Sequence, residues 1–166
     1  MATVDSLIFT LTLFAALGCG LIAGVFFAFS AFVMKALARL SPAEGIAAMQ
    51  SINVAVINPL FLTAFLGTAA ACVFVIISSF LRWHDPGAVY SLAGGVLYLV
   101  GSLLVTIVFN VPKNKALASV APGDPNSASL WASYLASWTA WNHVRAVAAL
   151  AAAASLIIAL SYGKAQ

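Results

Sequence analysis

Trp138, Trp141, Asn142 and Arg145 follow one another at i, i+3, i+4 and i+7, a spacing that puts side chains on one helix face. His143 lies about 100° around the same helix from Asn142. Together these groups could remove a proton and hold the anion left behind. Histidine titrates near neutrality and serves as a general base. Arginine and asparagine present donors to developing negative charge, and aromatic rings make a dry slot. More amides accompany them, Gln50, Asn53 and Asn58 in one stretch and Asn110 and Asn114 in another. The plain alternative is a membrane interface. There the tryptophans anchor at headgroup level, Arg145 extends its charge to lipid phosphates, and the asparagines bond one another.

The elements that must position these residues are four apolar runs, at 7–33, 60–81, 88–109 and 144–160. A helix crossing a hydrocarbon core needs roughly 20 apolar residues, so each run spans or nearly spans once. Charged residues make up 7% of the chain and hydrophobic ones 64%, which excludes an ordinary soluble domain. The sequence therefore predicts one all-α domain over 1–166, an integral membrane antiparallel four-helix bundle. Four crossings bring the two longer polar connections to one end, with Lys35, Arg39, Lys113, Lys115 and Arg145. The other end receives Asp5, Arg82, His84, Asp85 and Lys164. Five basic residues against two place the amide-rich end in the cytoplasm and both termini outside, in a bacterial inner membrane. The main cavity should open at that end, lined by Asn53, Asn110, Trp138, Asn142 and Arg145.

Local signals refine this plan. Ser41-Pro42-Ala43-Glu44 reads as a capping box with proline at the first helical position. It predicts a short extra helix between transmembrane helices 1 and 2, ending near Asn58-Pro59, where proline disfavours continuation. Residues 121–126 form a breaker-rich loop. Ser127 then starts a last helix of more than thirty residues. The ladder Ala16, Gly20, Gly24, Ala28 permits close helix packing and is compatible with a homo-oligomer. The start of the chain lacks the basic region of a cleavable signal peptide.

The net charge of +3 is spread over membrane-flanking positions, so nucleic acid is not a partner. Cys19 and Cys72 both lie inside spans with no Cys-x-x-Cys, and read as small packing residues. His143 and His84 fall at opposite ends, which disfavours bis-histidine haem. Glu44 is the only glutamate, so a di-iron carboxylate site fails. His143 with Glu44 or an asparagine could hold a metal only weakly. The expected cofactor is none.

The stretch Gly24-Val-Phe-Phe-Ala-Phe-Ser-Ala-Phe-Val-Met34, with Ala48-Met49-Gln50-Ser-Ile-Asn53, Asn58-Pro59, Asn110-Val-Pro-Lys-Asn114 and Trp138-Thr-Ala-Trp-Asn-His-Val-Arg145, resembles the anthrone oxygenase family of small four-helix membrane proteins. The resemblance covers nearly the whole chain, and its most specific parts are Asn-x-Pro-x-Asn and Trp-Asn-His-x-Arg. Lys113 stands in the first of these where a smaller or apolar residue is expected. The resemblance implies oxidation of an anthrone-like or phenolic aromatic molecule by O2. On that reading His143 is the catalytic base, and Arg145 and Asn142 stabilise the anion. Asn53, Asn110, Asn114, Trp138, Trp141, Gln50 and Phe29 contact the substrate. Two other readings stay open: a non-catalytic small-molecule-binding or accessory membrane protein, and a metal- or haem-dependent redox protein.

Overall fold

With no charged residue between Asp5 and Lys35, the first run has no reason to leave helical geometry inside a membrane, where every backbone group must be satisfied within its own segment. The computed structural model describes residues 2–121, 124 and 126–163, the side chains of 2, 3 and 163 excepted. Among them there is no strand. Helix α1 (Ala2–Ala28) continues through a π-helical turn, Phe29–Val33, into α2 (Met34–Leu37). After α3 (Pro42–Ala55) and α4 (Pro59–Leu81) comes α5 (Ala88–Tyr98). Two further π-helical turns, Leu99–Leu104 and Thr106–Asn110, lead into α6 (Val111–Ala118). The chain closes with α7 (Ser127–Gly163), 37 residues long. Of the loop 121–126, Pro122, Gly123 and Pro125 lie outside the described residues, as does Lys164.

Among the described residues, four helical stretches are long and apolar enough to cross a membrane: Val4–Leu37, Pro59–Leu81, Ala88–Ala118 and Ser127–Tyr162. They mark an integral membrane protein. Their outer faces are inverted relative to a soluble domain, with Phe14 66% and Val147 68% exposed. Three buried hydroxyls are satisfied within their own helices, Thr12 donating to the Ile8 carbonyl, Thr68 to Ala64 and Ser79 to Val75. This i to i−4 bonding lets a hydroxyl sit in hydrocarbon without a partner helix.

The core has two parts. Ile22, Phe26, Phe65, Cys72, Tyr98, Ala149, Ala152 and Leu156 interlock between the spans, where small alanines let backbones approach. A second cluster joins α2, α3, α6 and the start of α7 through Met34, Leu37, Ile46, Met49, Leu117, Trp131, Tyr134 and Trp138. Helix α3 is built from its first turn. Ser41 caps the Glu44 amide while the Glu44 carboxylate accepts from the Ser41 amide at 3.1 Å and hydroxyl at 2.6 Å. Those two donors hold the Glu44 carboxyl below its ordinary value. Gly45, one residue on, lies flat against Trp131; a Cβ there would sit 2.7 Å from the indole. Asn58 then ends one helix and starts the next, donating to the Ala55 carbonyl and capping the Phe61 amide.

Candidate functional site

Asn142 is fully buried, and its carboxamide touches three elements. Its Nδ2 donates at 2.7 Å to both the Phe26 carbonyl and Ser30 Oγ. Its Oδ1 accepts from an Arg145 guanidinium nitrogen at 2.6 Å. The guanidinium, 4% exposed, also donates to Thr106 Oγ1 at 3.2 Å. It lies over the Phe26 ring at 4.2 Å and the Trp138 ring at 5.0 Å, distances at which aromatic faces attract a cation. One turn away, Asn110 donates to the Trp138 carbonyl. Asn114 Oδ1 accepts from both Tyr134 and Trp138 Nε1, at 2.9 and 2.8 Å.

No carboxylate compensates Arg145 among the described residues. The chain has four acids, and each is engaged elsewhere. Asp5 and Asp85 pair with Arg82 at 2.5 and 3.9 Å. Glu44 closes its capping box, and Asp124 accepts from the Asn126 amide. A cation buried at membrane depth without a counter-ion is costly. Two buried atoms are unsatisfied as well: the cation's own Nε, a donor, and, in the same cluster, Asn110 Oδ1, an acceptor. Such a cluster is suited to holding a planar anion against aromatic faces.

All three π-helical turns converge on this cluster. Ser30 comes from the first. Ser102, from the second, donates to the Arg145 carbonyl. Thr106 and Asn110 come from the third. Such turns occur often at functional sites. Ser30, Ser102 and Thr106 are not among the residues expected from the sequence, whereas Phe26 is expected there as a wall of the aromatic slot. The signal for three of the polar positions was nonetheless present, since Ser102, Thr106 and Asn110 recur every fourth residue in an otherwise apolar run.

The structure brings together only some of the residues expected here. Arg145, Asn142, Asn110 and Trp138 share the cluster, and Phe29 packs on Trp138 with ring centres 5.6 Å apart. Asn114 joins through Trp138 and Tyr134. Asn53 lies beside the Tyr134 phenol with a buried, unpartnered Nδ2. Trp141 instead stacks on Phe109, centroids 3.6 Å apart. Gln50 turns to α6, its amide donating to the Leu117 and Val120 carbonyls at 2.8 and 3.0 Å. It thereby satisfies acceptors that a helix C-terminus leaves open. His143 is exposed on the outer face of α7 and makes no side-chain hydrogen bond among the described residues. It is not part of the cluster. The packing of Ala149, Ala152 and Leu156 into the core fixes the rotation of α7, which turns Asn142 and Arg145 inward and His143 out. No group of three or more His, Cys, Asp or Glu side chains comes together among the described residues.

The two cavities seen here differ in lining from the one expected over Asn53, Asn110, Trp138, Asn142 and Arg145. A cavity of about 220 Å³ lies at the opposite end, bordered by Asp5, Thr12, Ser79, Arg82 and Asp85. A shallow groove of about 410 Å³ runs between α6 and α7, from Lys113 to Ser137. Neither is lined by Arg145 or Asn142, because Phe26, Phe29 and Trp138 already fill the space around the guanidinium.

The family model described as anthrone oxygenase matches residues 55–155. That is more than half of the chain. The chain belongs to the anthrone oxygenase family. The matched stretch holds Thr106, Asn110, Asn114, Trp138, Asn142 and Arg145. Ser30, Asn53 and most of α3 lie before it. No curated protein and no solved structure matches. The family membership thus bears on an oxygenase-type function and names no substrate.

Proposed function

We propose that this anthrone oxygenase family member is a membrane-embedded oxygenase acting on an anthrone-like or phenolic aromatic molecule. The observation that carries the reading is Arg145: a buried cation, roofed by two aromatic rings, with no carboxylate partner among the described residues. An anthrone loses a ring-flanked C–H proton to water before it enters the dry site, which leaves a delocalised anion. In a dry site, a fixed guanidinium stabilises that anion far more than water-exposed charge would. The anion then reacts with O2. The CH2 carbon becomes a carbonyl holding one oxygen atom, and the other oxygen leaves as water with the two hydrogens. Asn142 and Thr106 hold the guanidinium plane, and Trp138 and Phe29 face the aromatic substrate. Because the cluster is closed, entry of the substrate requires Trp138 or Phe29 to swing aside.

The proposed arrangement is an antiparallel four-helix bundle, with α3 as a short extra helix between the first two spans. The Arg145 end faces the cytoplasm and both termini lie outside, following the excess of basic residues at that end. Oxygen uptake by the purified protein with an anthrone tests the function. Uptake in the parent that is lost in Arg145→Met supports it, and no uptake with any anthrone or phenol offered overturns it.

A further inference from the structure

The groove between α6 and α7 has a charge pattern that the oxygenase reading does not use. Its walls include Lys113, Ala116 and Leu117 from α6 and Leu130, Ser133 and Ser137 from α7. The groove, about 410 Å³, falls in the range of ligand-binding sites. Ser129, Ser133 and Ser137 recur every fourth residue, so three hydroxyls line one helix face. Ser129 donates to the Asn126 carbonyl. Ser133 and Ser137 make no side-chain hydrogen bond among the described residues, and Lys113 makes no salt bridge there. Lys113 is half-buried, while Lys115 is exposed and lies outside the groove. Lys35 stands on α2, which packs into the same cluster of side chains as α6 and α7, and it too has no acidic partner among the described residues. The groove lies at the end of two membrane-crossing stretches, those ending at Ala118 and beginning at Ser127. Its position is therefore at headgroup depth.

We propose that this groove seats the headgroup of an anionic phospholipid. The phosphodiester meets Lys113 Nζ and the Ser133 and Ser137 hydroxyls, and the acyl chains leave past Ser137 toward the bilayer core. The pairing is complementary in chemistry: a cation on a flexible stem reaches to the interface, and free hydroxyl donors suit phosphate oxygens. An interfacial lysine strengthens attraction to anionic lipid by about fivefold. Leu117 and Tyr134 form the inner wall, so a bound lipid would touch the residue that ties Asn114 to the Arg145 cluster.

The test uses the full chain in nanodiscs of equal phosphatidylcholine and phosphatidylglycerol, with retained lipid counted by native mass spectrometry. The parent should keep phosphatidylglycerol in preference to phosphatidylcholine. Lys113→Gln should reduce that preference about fivefold, Lys113→Arg should retain it, and Lys115→Gln should leave it unchanged. Ser137→Val supplies an independent reading through the hydroxyl and should also lower it. Millimolar inorganic phosphate should fail to displace the lipid. Equal retention by the parent and Lys113→Gln, or an equal loss in Lys115→Gln, would overturn the proposal. Displacement by inorganic phosphate would show a free-anion site and overturn it too. None of these readouts depends on oxygenase activity.

Discussion

Replacing Arg145 with methionine separates a functional cation from a structural one. The substitution removes two hydrogen bonds and two aromatic contacts. Thr106 keeps its own bond to the Ser102 carbonyl, so it loses little. Asn142 Oδ1 loses the partner at 2.6 Å, and an orphaned buried acceptor costs about 1–3 kcal/mol. The two cation–π contacts add about 2 kcal/mol more. Against this, methionine relieves the desolvation of a charge with no counter-ion, which is several kcal/mol per ion, and it removes the unsatisfied Nε. The opposing effects nearly cancel. Arg145→Met should therefore unfold within about 2 kcal/mol of the parent, while oxygen uptake falls roughly 10²–10³-fold, as when one anion-stabilising donor is lost. Arg145→Lys should fall in between, since it keeps the charge but not the planar fork. The measurements are thermal or denaturant unfolding in detergent and oxygen consumption with an anthrone. A destabilisation of about 3–5 kcal/mol, the size seen when a buried ion pair is broken, would make Arg145 a packing keystone and refute the argument.

His143→Ala should leave oxygen uptake unchanged, because the imidazole faces outward; a drop of about 10²-fold or more would restore it as the general base. Gln50→Ala removes a donor from the Leu117 and Val120 carbonyls, of which Leu117 keeps the Val120 amide, and should cost about 1–3 kcal/mol, seen as lowered thermal stability and faster amide exchange in α3. Glu44 is held below the ordinary glutamate value, so its contribution to α3 is complete above that ordinary value and lost as pH falls through the lowered one. Amide exchange over residues 42–46 should accelerate in that acid window, and Ser41→Ala, which keeps only the backbone donor, should weaken the dependence. For orientation, Asp124→Cys should resist an impermeant thiol reagent in intact cells while Asp85→Cys reacts, and the reverse pattern would invert the proposed topology.

The four spans and the break at Asn58-Pro59 were legible because hydropathy and capping act locally. The pair Asn142 and Arg145 was legible as well, since helical spacing alone puts them on one face. What spacing could not supply was the direction that face points. His143 stands one residue from Asn142, and only the alanines packed further along α7 decide which of the two enters the bundle. Gln50 looked like a substrate contact because an amide near hydrocarbon needs partners. The structure gives it the open carbonyls of α6, a long-range pairing that no local pattern encodes. The lining of the two cavities differs from the expected one for a related reason: aromatic residues counted as walls of a slot can equally fill it. The π-helical turns were invisible, because they depend on how three helices settle against one another.

Those turns make chain length itself a determinant of the site. A π-helical turn accommodates one residue more than the α-helical turn it interrupts, so the third span carries surplus length upstream of its polar residues. Deleting a single residue within Leu99–Leu104 would be absorbed as that turn relaxes to ordinary pitch, whereas the same deletion in α5 would rotate everything after it by about 100°. In the second case Thr106 would leave the guanidinium and Asn110 the Trp138 carbonyl, although no residue of the cluster had been changed. For this fold an alignment that places a one-residue gap outside that stretch therefore equates chains with differently furnished interiors. Insertions and deletions there should be read as changes of chemistry.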